Sequence, residues 1–287
     1  MVTHMSEFRN PKSNDASGDP GYWLAAGGRE QPEDERLGLL EQLFDPISQR
    51  RRRDLVQPGW RCLEIGAGRG SMAVWLAHHV GPAGRVVATD IDLRYLDRLK
   101  LPNLEVVRHN ILEDSLDVLA PGSFDLVCCR LVLFWLAGKQ EAAVNRMVEC
   151  LRPGGWLVDE DGDWGMVAPV DPVHPLHRAY HDAWRGGEWW ASRGYDPAFG
   201  RKLPALFERC GLEHIEHEAT AEVVRGGSPW ARWWKETFQG IRASEEMAGK
   251  LTQSREDEYR ALTTPLDDPS FWLLSVLLHG CRGQRPS

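Results

Sequence analysis

Between residues 34 and 57 the apolar positions keep a helical rhythm. Leu37, Leu39, Leu40, Leu43, Phe44, Ile47 and Leu55 recur among charged residues, which predicts an amphipathic helix with Pro46 as a point of interruption. From residue 61 the pattern changes to short apolar runs separated by amphipathic stretches. Strands are predicted at 61–65, 85–89, 104–108, 124–129 and 155–159, with helices at 70–80, 92–99 and 138–152. This alternation builds βαβ units and hence an α/β fold with a parallel sheet. Gly154 and Gly155 are placed to end the third helix before the run Trp156–Val158 restarts a strand.

Beyond Gly155 far more chain remains than one further helix and strand would use. Residues 197–211 read as a helix closed by Gly211, 213–224 as a strand, and 271–279 as a final strand. The segments 162–196 and 226–268 are too long for bare loops and are predicted to add helices.

Composition narrows the class. The 287 residues carry 34 Lys and Arg against 42 Asp and Glu, a net charge of −8, and 42% are hydrophobic. That is a globular composition; it excludes chain-wide disorder and gives no overall positive field for nucleic acid or an anionic membrane. The run Arg50–Arg53 reads as a solvated helix face or a basic helix C-terminus. No apolar run reaches the roughly 18 residues of a membrane span. The cysteines Cys62, Cys128, Cys129, Cys150, Cys210 and Cys281 form no CxxC pair and read as reduced thiols. With no apolar leader in the first twenty residues, the expectation is a cytoplasmic protein with a disordered tail over 1–20.

The chemistry concentrates at LEIGAGRGS, residues 63–71, where an apolar strand runs into Gly66, Gly68 and Gly70 and a helix begins near Ser71. Glycines there let a ligand approach the backbone, although a tight strand-to-helix turn also needs them for steric reasons. Asp90 ends the second strand, where an acid can accept both hydroxyls of a ribose or else cap a helix.

In order along the chain, LEIGAGRGS, VVATDID (86–92), VVRHN (106–110), SFDLVCCRLVL (123–133) and LRPGGWLV (151–158) resemble the motifs of class I S-adenosylmethionine-dependent methyltransferases of the small-molecule type. The resemblance covers about 34–160, and more weakly 197–224 and 271–281. It implies a Rossmann-like seven-stranded sheet whose last strand is antiparallel, with a Trp-rich helical cap inserted after the fifth strand. The expected division is a tail over 1–20, an N-terminal and cofactor-binding part over 21–161, and remaining strands with a substrate cap over 162–287. The implied cofactor is S-adenosyl-L-methionine. By the same resemblance Gly66, Gly68, Gly70 and Ser71 line its methionine part and Glu64 supports its amino group. Asp90 would hold the ribose, Ile91 pack on adenine, Asn110 and the backbone of Ile111 bond the adenine edge, and Arg130 border the methionine moiety or the substrate mouth. A structural salt bridge is the other reading of Arg130.

Two departures bear on substrate. CRLV follows the fourth strand in place of an Asn/Asp-Pro-Pro-aromatic tetrapeptide, which together with the negative charge disfavours DNA. Phe134 and Trp135 stand where relatives are commonly more polar. Eight of thirteen tryptophans fall after the fifth strand: Trp164, Trp184, Trp189, Trp190, Trp230, Trp233, Trp234 and Trp272. Aromatic faces can stack on a flat substrate and attract a sulfonium, or simply fill the core of a helical cap. Tyr22, Phe134, Trp135 and Trp164 are the expected pocket residues.

For catalysis, Asp161 within the acidic cluster Glu160, Asp161 and Asp163, and His177 within the spacing His174, His177 and His181, are the candidate bases. The histidine spacing also admits a metal, with Asp171 or Asp182, but no metal is expected. The stretches GGSPWARWW (226–234) and FWLLS (271–275) resemble methyltransferase domains encoded among specialised-metabolite genes, including antibiotic biosynthesis. The expected partner is a small hydrophobic or aromatic acceptor, without nucleic acid or membrane, for a monomer or homodimer. A nicotinamide dehydrogenase shares the glycine turn but would need glycine at Ser71. A cofactor-binding relative without activity, acting as a partner protein, is the other alternative.

Overall fold

A computed structural model describes residues 30–287; the expected tail and Tyr22 lie outside the described residues. The chain enters through helix α1 (Glu30–Arg53), which continues through Pro46 and is not interrupted there. Five strands follow: β1 (Arg61–Ile65), β2 (Arg85–Asp90), β3 (Leu104–Arg108), β4 (Phe124–Arg130) and β5 (Leu151–Asp163). Helices α2 (Ser71–Val80) and α3 (Gln140–Cys150) lie between them. Later come β6 (Ala168–Pro169), β7 (Glu213–Thr220), β8 (Val223–Arg225), β9 (Trp272–Leu274) and β10 (Leu277–Gln284). The main sheet has seven strands in the order β3-β2-β1-β4-β5-β10-β7. Strands β1 to β5 pair in parallel, while β10 runs antiparallel to both β5 and β7, the arrangement expected of the last strand. Strand order reverses between β1 and β4, and a sheet of this kind takes its ligand at the carboxyl ends of the strands beside such a reversal.

Several expectations need correction. No regular helix forms over 92–99; Asp92 takes the Arg94 amide at 3.1 Å and fixes a run of turns instead. The third helix stops at Cys150, not at the glycine pair, because Pro153 disfavours a helical residue before it. Gly155 is needed for another reason: a Cβ there would sit 2.8 Å from the Phe124 carbonyl oxygen on β4. The strands expected at 213–224 and 271–279 each divide in two. Their first and second halves join different sheets, since β9 pairs with both β6 and β8 in a separate three-stranded sheet. The two chains change sheet together, Ser275 N donating to Glu222 O at 2.8 Å and Glu222 N to Ser275 Oγ at 2.9 Å.

The extra segments are helical as expected: α4 (His177–Trp184), α5 (Glu188–Ala191), α7 (Pro229–Met247) and α8 (Gln253–Thr263), with α6 (Leu203–Arg209) against β7. Ser228 caps α7 through the Ala231 amide, and Pro229 occupies the first turn, where its missing N–H is harmless. The tryptophans fill this cap. Trp184, Trp189, Trp190, Trp233 and Trp234 are fully buried, and Trp164 stacks on Trp234 with centroids 5.0 Å apart and planes within 5°. Phe44 joins the same cluster edge-on to Trp233 at 5.2 Å, so α1 packs on α7 and ties the cap to the sheet.

Candidate active site

Strand β1 delivers the chain into a left-handed turn, with φ of 67°, 58° and 84° at Gly66, Gly68 and Gly70. The three glycines serve different ends. A Cβ at Gly66 would lie 2.4 Å from Val132 Cγ2, and one at Gly70 2.4 Å from Leu99 Cδ1, so these two permit packing. At Gly68 the nearest atom would be Leu37 Cδ2 at 3.8 Å, leaving a bare backbone that a ligand can approach. Asp90, at the end of β2, accepts the Gly68 amide on Oδ2 at 2.9 Å and the Asp92 amide on Oδ1 at 3.1 Å. It therefore ties the turn to the neighbouring strand; the alternative of a helix cap falls, because no helix follows. Burial raises its pKa above the usual carboxylate range.

Glu64 precedes the turn and is buried, and its Oε2 has no hydrogen-bond partner. Burial pushes its pKa up to about 8 against the pull of Arg130 and Arg52. A buried carboxylate oxygen without a donor, beside an open glycine backbone, fits a cationic group such as an ammonium. Arg130, at the end of β4, is held through Nη1 by Asp45 Oδ1 at 2.9 Å and Ser48 Oγ at 3.0 Å. Ser71 Oγ bonds the same Asp45 oxygen at 3.1 Å.

These contacts expose what the sequence reading missed. Arg69 bonds the Asp34 carbonyl oxygen at 2.9 Å and lies 3.5 Å from Glu41 Oε2, and it fills the space a Cβ at Gly38 would need. Arg52 reaches Glu160 Oε2 at 2.5 Å. Positions 34, 38, 41, 45, 48 and 52 thus form a stripe along α1 facing the ends of β1, β4 and β5, at alternating steps of four and three. The signal in the sequence is a second, polar periodicity laid over the apolar one. The run Arg50–Arg53 forms the basic last turn of α1, one of the two readings, but it is not a solvated face. Arg51 and Arg52 are buried ligands of Glu160, with Glu218 also taking Arg50 and Arg51.

The remaining predicted residues are placed as follows. Ile91 is half-buried beside Asp90, and Ile111 is buried with its carbonyl bonded by Arg146 Nε. Asn110 Oδ1 accepts the Leu112 amide at 3.0 Å, so the oxygen expected to meet adenine already closes its own turn. Asp161 has a structural part as well. It is wholly buried and takes the amides of Phe134 at 2.9 Å and Gly162 at 2.8 Å, which makes it the anchor of the turn after β4. Burial outweighs these donors and raises its pKa to about 7. Phe134 and Trp164 lie inside the aromatic cluster, 5.6 Å apart, and Trp135 is half-buried against Trp190 at 5.5 Å. His177 stacks on His181 at 6.0 Å, whereas His174 meets Ser270 Oγ at 3.1 Å. Among the described residues no group of three or more His, Cys, Asp or Glu is arranged to hold a metal.

Comparison with known proteins places this geometry. Residues 63–159 match the model of a methyltransferase domain. The ubiquinone/menaquinone biosynthesis C-methyltransferase UbiE of Cupriavidus taiwanensis is 31% identical over 189 residues, 59% of this chain and 74% of that protein. The chain belongs to the class I S-adenosylmethionine-dependent methyltransferases. Methyltransferase str3 of Strobilurus tenacellus is 33% identical over 157 residues, 54% of this chain, so the chain spans only about half, 53%, of that relative's length. In fold, the chain resembles Haemonchus contortus phosphoethanolamine N-methyltransferase 2, solved with phosphomonomethylethanolamine and S-adenosylhomocysteine. The TM-score is 0.52 at 15% identity, covering 92% of this chain and 59% of that one. No helix among the described residues is long and apolar enough to cross a membrane.

Proposed function

We propose that the protein transfers a methyl group from S-adenosylmethionine to an O, N or C nucleophile of a small, largely hydrophobic or aromatic metabolite, in specialised-metabolite biosynthesis. The observation that carries the cofactor assignment is the unpartnered buried oxygen of Glu64 beside the open backbone of Gly68. Glu64 would take the ammonium, Gly66, Gly68, Gly70 and Ser71 the methionine chain, and Asp90 the ribose through lone pairs its two amide contacts leave unused. Ile91 and Ile111 flank the adenine position. When bound, the cofactor supplies a methyl group already activated on sulfur, so the acceptor atom bonds the methyl as the methyl–sulfur bond breaks and an acceptor proton goes to solvent.

The chain's own part is then to align and dehydrate. Asp161 does this at one remove, fixing the Phe134 amide and so the aromatic wall that Phe134, Trp135 and Trp164 build. That wall supports an apolar acceptor, and the similarity to the ubiquinone/menaquinone biosynthesis C-methyltransferase UbiE agrees with a small-molecule substrate. Six free cysteines, five of them buried, support a reducing cytoplasm as the place of action. The test is calorimetric titration with S-adenosylmethionine, S-adenosylhomocysteine and NAD, then a methyl-transfer screen over phenolic, amine and activated-carbon acceptors. Micromolar binding of the first two ligands and turnover with an aromatic acceptor is the expected outcome. Binding of NAD alone would point to a dehydrogenase, and cofactor binding without turnover on any acceptor to an inactive relative.

A further inference from the structure

Two cations stand near Glu64, and each is engaged elsewhere. Arg52 is held by Glu160 Oε2 at 2.5 Å and the Ser48 carbonyl oxygen at 3.0 Å. Arg130 is held by Asp45 Oδ1 and Ser48 Oγ. Glu64 is nevertheless within Arg130's influence. Glu64 pairs in register with Cys128, and Arg130 lies two residues further along β4, so both side chains leave the same face of the sheet toward α1. The groups acting on Glu64 are Arg52 and Asp45 from α1, Arg130 and Cys128 from β4, and Asp90 from the end of β2. A guanidinium released from its partners would favour the ionised form of this buried acid, whose Oε2 has no hydrogen-bond partner, by an attraction far stronger there than in water.

We propose that Asp45 is a positioning residue: it holds the Arg130 guanidinium away from Glu64 and so keeps the Glu64 carboxylate open for the ammonium end of the cofactor. The inference rests on the cofactor reading above. Asp45 can do this because one oxygen, Oδ1, accepts from both Arg130 and Ser71, which locks the last residue of β4 to the first residue of α2. The arrangement also explains why α1 belongs to the site. Its polar stripe sorts the charges around the glycine turn, cancelling the two arginines with Asp45 and Glu160 while leaving Glu64 unmatched.

The experiment is titration with S-adenosylhomocysteine at pH 7 in two buffers of different ionisation enthalpy, which reads affinity and proton release together. In the unaltered protein, binding releases a proton as Glu64 ionises against the ammonium. In Asp45→Asn, Arg130 falls onto Glu64; affinity drops about tenfold, equivalent to ~1.4 kcal/mol, and proton release is lost because Glu64 is already ionised. Adding Arg130→Gln to Asp45→Asn removes the competitor and restores most of the affinity and the proton release. A melting curve for each variant separates misfolding from mispositioning. If Asp45→Asn binds and releases a proton as the unaltered protein does, or if the double variant stays as weak as the single one, Asp45 has no such role. Failure of the unaltered protein to bind would instead overturn the cofactor reading itself.

Discussion

Glu64 and Asp90 sit on either side of the same turn, yet their charges are committed to different degrees. Asp90 already accepts two backbone amides, so its removal loses a ligand contact and loosens the loop together. Asn at 90 keeps one acceptor oxygen and can serve one amide but not both. Affinity for S-adenosylhomocysteine should therefore fall in the order unaltered, Asp90→Asn, Asp90→Ala, with a loss of at least about tenfold for Ala and a folded protein by circular dichroism. Equal affinity in all three would remove the ribose assignment. Glu64 has an uncommitted oxygen and a pKa of about 8, so an incoming ammonium must displace a proton near neutrality. Affinity should rise as pH goes from 6 to 8. Glu64→Gln, which has no proton to give up, should bind more weakly at pH 8 and show a flat profile over that interval by calorimetry.

At the level of the element, the glycine turn and α1 illustrate what pattern reveals and what it hides. Gly66→Ala meets both a left-handed φ and a Val132 methyl 2.4 Å away, whereas Gly68→Ala meets only the backbone strain. In urea denaturation Gly68→Ala should cost about 1–2 kcal/mol and Gly66→Ala clearly more, while both lose cofactor affinity. A reversal of that order would mean the turn is not packed against the segment after β4 as described. Sequence alone was enough for the five parallel strands, the glycine turn and the helical character of the later segments, because apolar periodicity and glycine placement are local signals. It was not enough where an element's fate depends on distant partners. Residues 92–99 have helical spacing but are captured by Asp90 and Asp92, and the strands at 213–224 and 271–279 divide only because Glu222 and Ser275 bond each other. Asp161 was legible as a candidate base in an acidic cluster after the fifth strand but not as a turn anchor, since its donor, the Phe134 amide, lies 27 residues away. The stripe from Asp34 to Arg52 was legible in spacing, but its meaning depends on side chains brought from β1, β4 and β5.

Across the whole molecule, the buried ionisable groups pull stability in opposite directions with pH. Burial would raise Glu160, yet Arg52 and Arg51 hold it at about 2; its contribution is present above its ordinary value near 4.5 and is lost as pH falls toward 2. Burial and His217 lower His279 to about 4, so that group's contribution is lost as pH falls from 6.5 toward 4. Glu64, at about 8, and Asp161, at about 7, work the other way. Each is neutral in the folded chain and ionised in the unfolded one over the interval, so their contribution is complete below about pH 4 and is lost as pH rises through 7 and 8. The two sets cross between about pH 4 and 5. The melting temperature without ligand should therefore peak there and decline toward pH 8.5, measured by differential scanning fluorimetry in buffers matched for ionic strength. Glu64→Gln removes one of the buried acids responsible for the alkaline decline, which also include Asp159 and Asp90, without touching the acid limb, so its curve should fall less steeply above pH 6 and coincide in slope with the parent below pH 4. If the alkaline slope is unchanged in that variant, Glu64 is not the protonated buried acid that both the cofactor site and the Asp45 arrangement require.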